Sequence, residues 1–172
     1  LPGCFNVFEM SVRAVLGQQI TVKAASTLAA RLVAVYGTQV QTGIEGLTHS
    51  FPAPAAILAL GENISEHLGK LGIISARANT IYQLARVLAD EKNDFGFCGN
   101  PEEEMQKLQA IRGIGSWTAQ YIAMRAMGWP DAFLPTDAGI KKALPDHTPK
   151  ELQVLSEAWR PWRSYATVNL WN

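Results

Sequence analysis

Cysteine is nearly missing from this chain, with only Cys4 and Cys98 among 172 residues. Two are too few for a disulfide framework or an iron–sulfur cluster, and no Cys/His spacing matches a zinc site. Histidine is as scarce: His49, His67 and His147 are scattered and read as surface or internally satisfied residues rather than ligands. An excess of either charge is also lacking, with 15 Lys+Arg against 15 Asp+Glu, so the composition carries no bulk signature of a polyanion binder. Any such contact must come from a local patch or from backbone N–H groups, which carry no formal charge. No run approaches the ~20 apolar residues needed to span a membrane. No charged-then-apolar leader is present either, which makes the cytosol the default expectation.

What is present is a balanced globular composition, 48% hydrophobic and 17% charged. The length suits one domain or two closely packed lobes with a real core. The chain opens at Leu1 and stops at Asn172 inside a helical pattern, so it reads as a piece of something longer. Helical periodicity dominates. Apolar residues at Phe5, Phe8, Val12, Val15 and Leu16 predict a helix over Phe5 to Leu16. Val22, Ala25, Leu28, Ala29, Leu32 and Val35 predict another over Thr21 to Tyr36, with Gly37 as its stop. Gln39 to Pro54 reads as loop. Short helices are expected near Pro54–Leu60 and Ile64–Leu71, then a long one from about Ser75 to Glu91. Lys92 to Asn100 reads as a glycine-rich connection. Pro101, followed by Glu102, Glu103 and Glu104, is a strong helix start, since the carboxylates face the positive end of the dipole. That helix should run to about Ala110, and the next from Ser116 to about Met127. Shorter ones follow near Ala138–Leu144, Pro149–Trp159 and Pro161–Trp171. No segment alternates long enough for a sheet, so the expected class is all-α, without repeats.

Two stretches carry chemistry. In Leu108 to Tyr121, Gly113 and Gly115 stand two apart between helices. Glycine there permits positive φ and close approach to the backbone, and the next helix presents free N–H groups at the same place. The pair serves either as a phosphate seat or as an ordinary helix–helix turn with Ile114 tucked inward. In Phe133 to Leu144, Asp137 sits at a helix mouth, where the dipole favours the carboxylate form. Read alone, it is a helix cap or a catalytic carboxylate, and the two roles are compatible.

The surroundings favour the functional readings. Leu108, Ile111, Gly113, Ile114, Gly115, Thr118 and Ala119 resemble the helix-hairpin-helix pattern of DNA repair glycosylases. Pro135 and Asp137 resemble the loop that gives the helix-hairpin-helix and Gly/Pro-Asp (HhH-GPD) superfamily its name. LPGCFNVFEMSVRAVLGQQI, FLPTDAGIKKALP and WRPWRSYATVNLW together make nearly the whole chain similar to the bacterial 3-methyladenine DNA glycosylase II (AlkA-type) family. The resemblance implies an all-α HhH-GPD glycosylase core over residues 1–172, a helical bundle in two lobes with the active site in the cleft between them. The hairpin would occupy about 101–127 and the catalytic loop about 130–140. The family's bacterial members carry an additional N-terminal α/β domain, which is not expected in this chain.

The implied activity is hydrolysis of the N-glycosidic bond of alkylated purines, such as 3-methyladenine and 7-methylguanine, after base flipping, leaving an abasic site. Asp137 would stabilise an oxocarbenium-like sugar and orient water. The family position that is lysine in strand-cleaving members is Trp117 here, which cannot form a Schiff base, so the resemblance implies a monofunctional enzyme. Trp117, Tyr121 and Trp171 fall on positions lining the flipped-base pocket, where electron-rich rings suit a cationic purine. Trp159 and Trp162 read instead as core. Gly113, Ile114, Gly115, Thr118, Gln18 and Gln19 fall on DNA-binding positions, and Arg112, Lys141 and Lys142 are further phosphate contacts or plain solvated charges. No cofactor and no side-chain metal site are implied, although a structural cation could bridge the hairpin carbonyls. The partner would be double-stranded DNA with alkylated bases, bound by a monomer in the bacterial nucleoid. Two positions depart from the pattern: the pocket tyrosine after Asp137 is Ala138, and the apolar wedge is Gln19. The competing readings are a non-catalytic helix-hairpin-helix DNA-binding module and a glycosylase for oxidised or mismatched bases. The Asp137 and aromatic constellation disfavours the first, and the missing lysine and cysteines disfavour the second.

Overall fold

The computed structural model describes residues 1–90 and 100–172. Glu91 of the expected long helix and residues 92–99 of the glycine-rich connection lie outside the described residues. Helices dominate, as the periodicity requires, and they group into two compact units. Among the described residues one unit comprises 6–90 with 111–113, and the other comprises 1–5, 100–110 and 114–172. No described helix is long and apolar enough to cross a membrane.

The first unit begins with α1 (Val7–Leu16) and α2 (Val22–Tyr36). Asn6 caps α1 by accepting from the Glu9 N–H, and Thr21 caps α2 by accepting from the Ala24 N–H. The first helix therefore starts after Phe5, whose side chain is fully exposed rather than part of the apolar stripe. In α2 the expected stripe is only half used: Ala29 and Leu32 are buried, whereas Val22 and Val35 are exposed. Gly37 ends the helix in extended backbone (φ −70°, ψ 159°) rather than in a left-handed cap. The segment expected to be all loop holds one small exception, an antiparallel pair of two-residue strands, β1 (Thr38–Gln39) and β2 (His49–Ser50). Then come α3 (Pro54–Leu58), a single 3₁₀ turn at Gly61–Asn63, α4 (Ile64–Gly69) and α5 (Ser75–Leu88). Val12, Val15 and Leu16 of α1 share this unit's core with Leu32, Ile57, Leu68, Ile73, Ile81 and Leu84, each buried almost completely.

The second unit contains α6 (Pro101–Gln109), α7 (Ser116–Arg125), α8 (Ala138–Ala143), α9 (Pro149–Ser156), a 3₁₀ turn at Glu157–Trp159 and α10 (Arg163–Leu170). The starts of α6 and α9 follow from local chemistry. Proline stands in the first turn of each, Asn100 accepts from the Glu102 N–H, and Thr148 and Glu151 form a reciprocal capping box. The core of this unit is a cluster of Met124, Ala132, Phe133, Leu134, Ile140 and Leu152. Trp117, Tyr121, Trp159 and Trp171 pack against it, partly buried. Trp159 thus sits where the sequence puts it, edge-on to Phe133 at 5.7 Å between ring centroids. Trp162 does not. It is 58% exposed and meets Tyr165 edge-to-face at 5.6 Å. The physical reason is its place at the mouth of α10, where its neighbour three residues on belongs to that helix's outer face.

Candidate active site

Asp137 is the N-cap of α8, and one of its oxygens closes that helix: Oδ1 accepts from the N–H of Gly139 (2.8 Å) and of Ile140 (3.2 Å). Two indoles complete its shell. Trp171 donates Nε1–H to Oδ1 at 2.7 Å, and Trp117 donates Nε1–H to Oδ2 at 2.9 Å. The carboxylate thus collects N–H donors from three helices' worth of chain while staying half-buried. Trp117 and Tyr121, one turn apart on α7, stack at 5.2 Å with planes 10° apart. Tyr121 then meets Trp171 at 6.3 Å and 43°. The three expected pocket rings and the expected catalytic carboxylate therefore form one contiguous group.

The loop that carries Asp137 is pinned by residues the sequence reading passed over. Asp131, buried, takes a two-pronged hydrogen bond from Arg163, Nε to Oδ1 at 2.7 Å and Nη2 to Oδ2 at 2.9 Å. Arg160 adds Nη1 to Oδ2 at 2.6 Å. Burial alone pushes the Asp131 carboxyl up, but hydrogen bonding and charge from Arg163, with Arg160 behind it, prevail and hold it below its ordinary value. Ser164 accounts for the neighbouring backbone: its hydroxyl donates to the carbonyls of Trp129 (2.8 Å) and Ala132 (3.1 Å), and its N–H donates to Pro130 (2.9 Å). Gln120 of α7 accepts from the Phe133 N–H at 3.3 Å. The available signal was a buried-type position, Asp131, within an apolar loop, and two arginines, Arg160 and Arg163, three apart.

The residues expected to hold DNA divide between side-chain and backbone roles. Gly113 has φ +96°, and a Cβ there would lie 2.1 Å from Thr80 Oγ1. That hydroxyl donates to the Arg112 carbonyl at 2.9 Å. The Gly113 carbonyl accepts from Gln18 Nε2 at 3.0 Å, and the Gln18 carbonyl in turn accepts from Arg77. Gln19 is exposed with φ +55°, the one non-glycine residue in left-handed backbone among those described. Ile114 is buried as expected. Gly115 differs from its partner: it is the N-cap of α7 in extended backbone (φ −89°, ψ 178°), and a Cβ there would meet only open space. Thr118 is 2% exposed, so its side chain is not available at the surface. One turn into α7 it points inward with Ala119 and Ile122. Arg112, Lys141 and Lys142 are exposed. Among the described residues no cluster of three or more His, Cys, Asp or Glu side chains is placed to hold a metal ion.

The chain matches the family model described as "HhH-GPD superfamily base excision DNA repair protein" over residues 12–163. It is 37% identical over 171 residues to DNA-3-methyladenine glycosylase 2 of Escherichia coli, an overlap that covers 99% of this chain and 59% of that protein. It is 41% identical over 176 residues to a probable bifunctional transcriptional activator/DNA repair enzyme of Mycobacterium tuberculosis, covering 99% of this chain and 34% of that one. Among solved structures, a 3-methyladenine DNA-glycosylase from Archaeoglobus fulgidus superposes with a TM-score of 0.83 at 25% identity, covering 99% of this chain and 58% of the other. A Schizosaccharomyces pombe 3-methyladenine DNA glycosylase, determined with abasic DNA, shares the fold at a TM-score of 0.78 and 21% identity, covering 99% of this chain and 81% of its own. This chain therefore spans less than two thirds of the E. coli, M. tuberculosis and A. fulgidus proteins. The match over residues 12–163 and the identity along almost the full length assign the chain to a family: it belongs to the HhH-GPD superfamily of base excision DNA repair proteins.

Proposed function

We propose that this chain is the catalytic core of a monofunctional DNA glycosylase that hydrolyses the N-glycosidic bond of alkylated purines and leaves an abasic site. The observation that carries the proposal is the Asp137 carboxylate, held by two indole and two backbone N–H groups beside a trio of aromatic rings. As the glycosidic bond breaks, positive charge develops on the sugar, and a carboxylate already fixed in place stabilises it without reorganising. The same carboxylate orients the water that attacks the sugar carbon, and the base departs with the bond electrons. Among the described residues, the groups that hydrogen-bond Asp137 are two indoles and two backbone N–H groups, none of them an amine. Where a lysine would form a Schiff base, Trp117 is a hydrogen-bond donor to the carboxylate, so water is the nucleophile.

A purine made cationic by alkylation gains from electron-rich ring faces and already has a weakened glycosidic bond, so Trp117, Tyr121 and Trp171 suit it better than a neutral base. The names of the E. coli and A. fulgidus relatives support that substrate class. Reaching the sugar requires the base to leave the stack, and the flanking duplex is held through phosphates. Gly113, Ile114 and Gly115 serve here through backbone, as do the first-turn N–H groups of α7, whose glycine N-cap contributes no side chain. Gln18 braces the turn and Gln19 faces outward for the gap the flipped base leaves. A cation at the turn would find the carbonyls of Arg112, Gly113 and Gly115 already accepting hydrogen bonds, and no step is assigned to one. The partner is damaged double-stranded DNA, engaged by a monomer in the nucleoid.

The test is release of free bases from methylated duplex DNA, resolved by chromatography. Asp137→Asn should keep the fold and the affinity for DNA yet slow release by ~10²-fold or more. Release at the parent rate would remove Asp137 from the chemistry. A covalent adduct trapped by borohydride would instead overturn the monofunctional assignment.

A further inference from the structure

We propose that Gly139 is a positioning residue, its missing side chain admitting the Trp171 indole to the carboxylate of Asp137. The inference rests on the reading of Asp137 as the acting carboxylate and extends it to a residue with no reactive group.

Space, not backbone conformation, requires glycine at this position. Gly139 lies in the first turn of α8, in helical backbone that any residue adopts, and alanine is the better helix former there. Yet a Cβ on Gly139 would lie 2.4 Å from Trp171 Cδ1, 2.9 Å from Trp171 Nε1 and 3.1 Å from Asp137 Oδ1. The first two distances are closer than non-bonded heavy atoms tolerate. The atoms struck are those of the donating edge, so the ring cannot make room without withdrawing the Nε1–H that sits 2.7 Å from Oδ1. Nor can it retreat freely, since Tyr121 stands at 6.3 Å and the rest of the ring packs against the cluster around Met124, Phe133 and Ile140.

The two carboxylate oxygens are thereby given different work. Oδ1 accepts three N–H groups, from Gly139, Ile140 and Trp171. Oδ2, among the described residues, accepts that of Trp117. Of the three bonds to Oδ1, two belong to α8 itself and fix the carboxylate to its own helix. The third, from Trp171, comes from a distant stretch of chain, and together with the Trp117 bond to Oδ2 it fixes the carboxylate toward the aromatic group. An added methyl at position 139 would leave the cap in place and release that lateral restraint. The fold should therefore survive a change that the chemistry does not.

The experiment pairs indole ¹H–¹⁵N spectra with single-turnover base release from methylated duplex at saturating protein. The chain has five tryptophans, so the Trp171 cross-peak is identified by its loss in Trp171→Phe. In Gly139→Ala that cross-peak should move from a charge-bonded to a free-indole position, and release should slow by roughly tenfold or more, the scale of one lost electrostatic restraint. Trp171→Phe, which adds no atom near Gly139, should slow release comparably. In a Trp171→Ala background, where the space is vacant, adding Gly139→Ala should change release less than about twofold, because the two changes act through one contact. An unmoved cross-peak with an unchanged rate in Gly139→Ala overturns the proposal. So does an equal slowing by Gly139→Ala with and without the Trp171 ring, which would place its effect in the α8 backbone. Should Asp137→Asn release bases at the parent rate, the functional reading fails instead, and the cross-peak still decides whether Gly139 governs the indole.

Discussion

The turn from Ile111 to Gly115 and the pocket around Asp137 are made of opposite materials. In the turn the proposed contacts are backbone groups, and two side chains, Thr80 and Gln18, brace them by engaging the Arg112 and Gly113 carbonyls. In the pocket the working groups are side chains, and backbone serves from behind, through the Gly139 and Ile140 N–H groups and the carbonyls held by Ser164. Backbone presents the same N–H whatever the residue, which suits the proposed contact with phosphates that repeat along every duplex. Side chains differ, which suits the proposed reaction, since it must choose one base. The contrast teaches where each region should fail: the turn through a Cβ in the wrong place, the pocket through a lost partner.

The largest effect is expected at the pinned end of the pocket loop. Arg163→Met removes the two-pronged partner of buried Asp131 and leaves only the half-exposed Arg160, so stability should fall by about 3 kcal/mol, at the lower end of the range for breaking a buried pair. Denaturant unfolding at neutral pH measures it. Because the folded-state pKa of Asp131 lies below its unfolded value, the stability it contributes is present above the ordinary carboxylate range and is lost as pH falls through and below it. The gap between the parent and Asp131→Asn should therefore close below pH ~4. A constant gap down to the acid limit would mean that the ion pair contributes packing rather than charge.

Next in size is the turn. Gly113→Ala forces a Cβ onto Thr80 Oγ1 in left-handed backbone and should cost on the order of 1–3 kcal/mol in thermal or chemical unfolding. Gly115→Val meets open space and extended backbone, so its cost in stability should stay below ~1 kcal/mol. Its effect should appear in binding, weakening affinity for damaged and undamaged duplexes alike at fixed salt. A Gly115→Val protein that binds undamaged duplex like the parent would reduce the turn to a structural connection. The smallest effect sharpens the other side of the contrast. Trp171→Ala should lower discrimination between alkylated and normal purines while leaving affinity for undamaged duplex nearly unchanged, as a titration with both duplexes would read.

Helices were legible because their signals are local. Proline, acidic first turns and Asn, Thr or Asp caps sit next to what they control, and the structure moves most boundaries by one to three residues. Asp137 was legible for the same reason, as a carboxylate at a helix mouth. What stayed hidden depends on residues far apart in sequence. Arg163 and Asp131 are separated by 32 positions, and nothing in either neighbourhood announces the other. The closeness of Gly139 to Trp171 exists only once α8 and α10 have packed. Burial of single side chains was also not legible: Trp162 is exposed where core was expected, and Thr118, placed on a DNA-binding position by the family resemblance, is buried. A stripe says that a helix has an inner side, but not how far round that side extends. The paired glycines looked equivalent and are not, since only Gly113 has positive φ.

Helix α10 joins its two ends to the same loop. At its start, Arg163 and Ser164 hold Asp131 and the carbonyls around Pro130, and just past its end Trp171 reaches Asp137. The helix is thus a ruler of eight residues, roughly 12 Å long, laid between two marks. Its exposed positions, Tyr165 and Asn169, can vary in composition, but the helix cannot vary in length. One inserted residue would turn Trp171 by about 100° and carry its donor away from the carboxylate. Deletions and insertions between Arg163 and Trp171 should therefore be far more damaging than any single replacement there, a constraint written in residue count rather than in residue type.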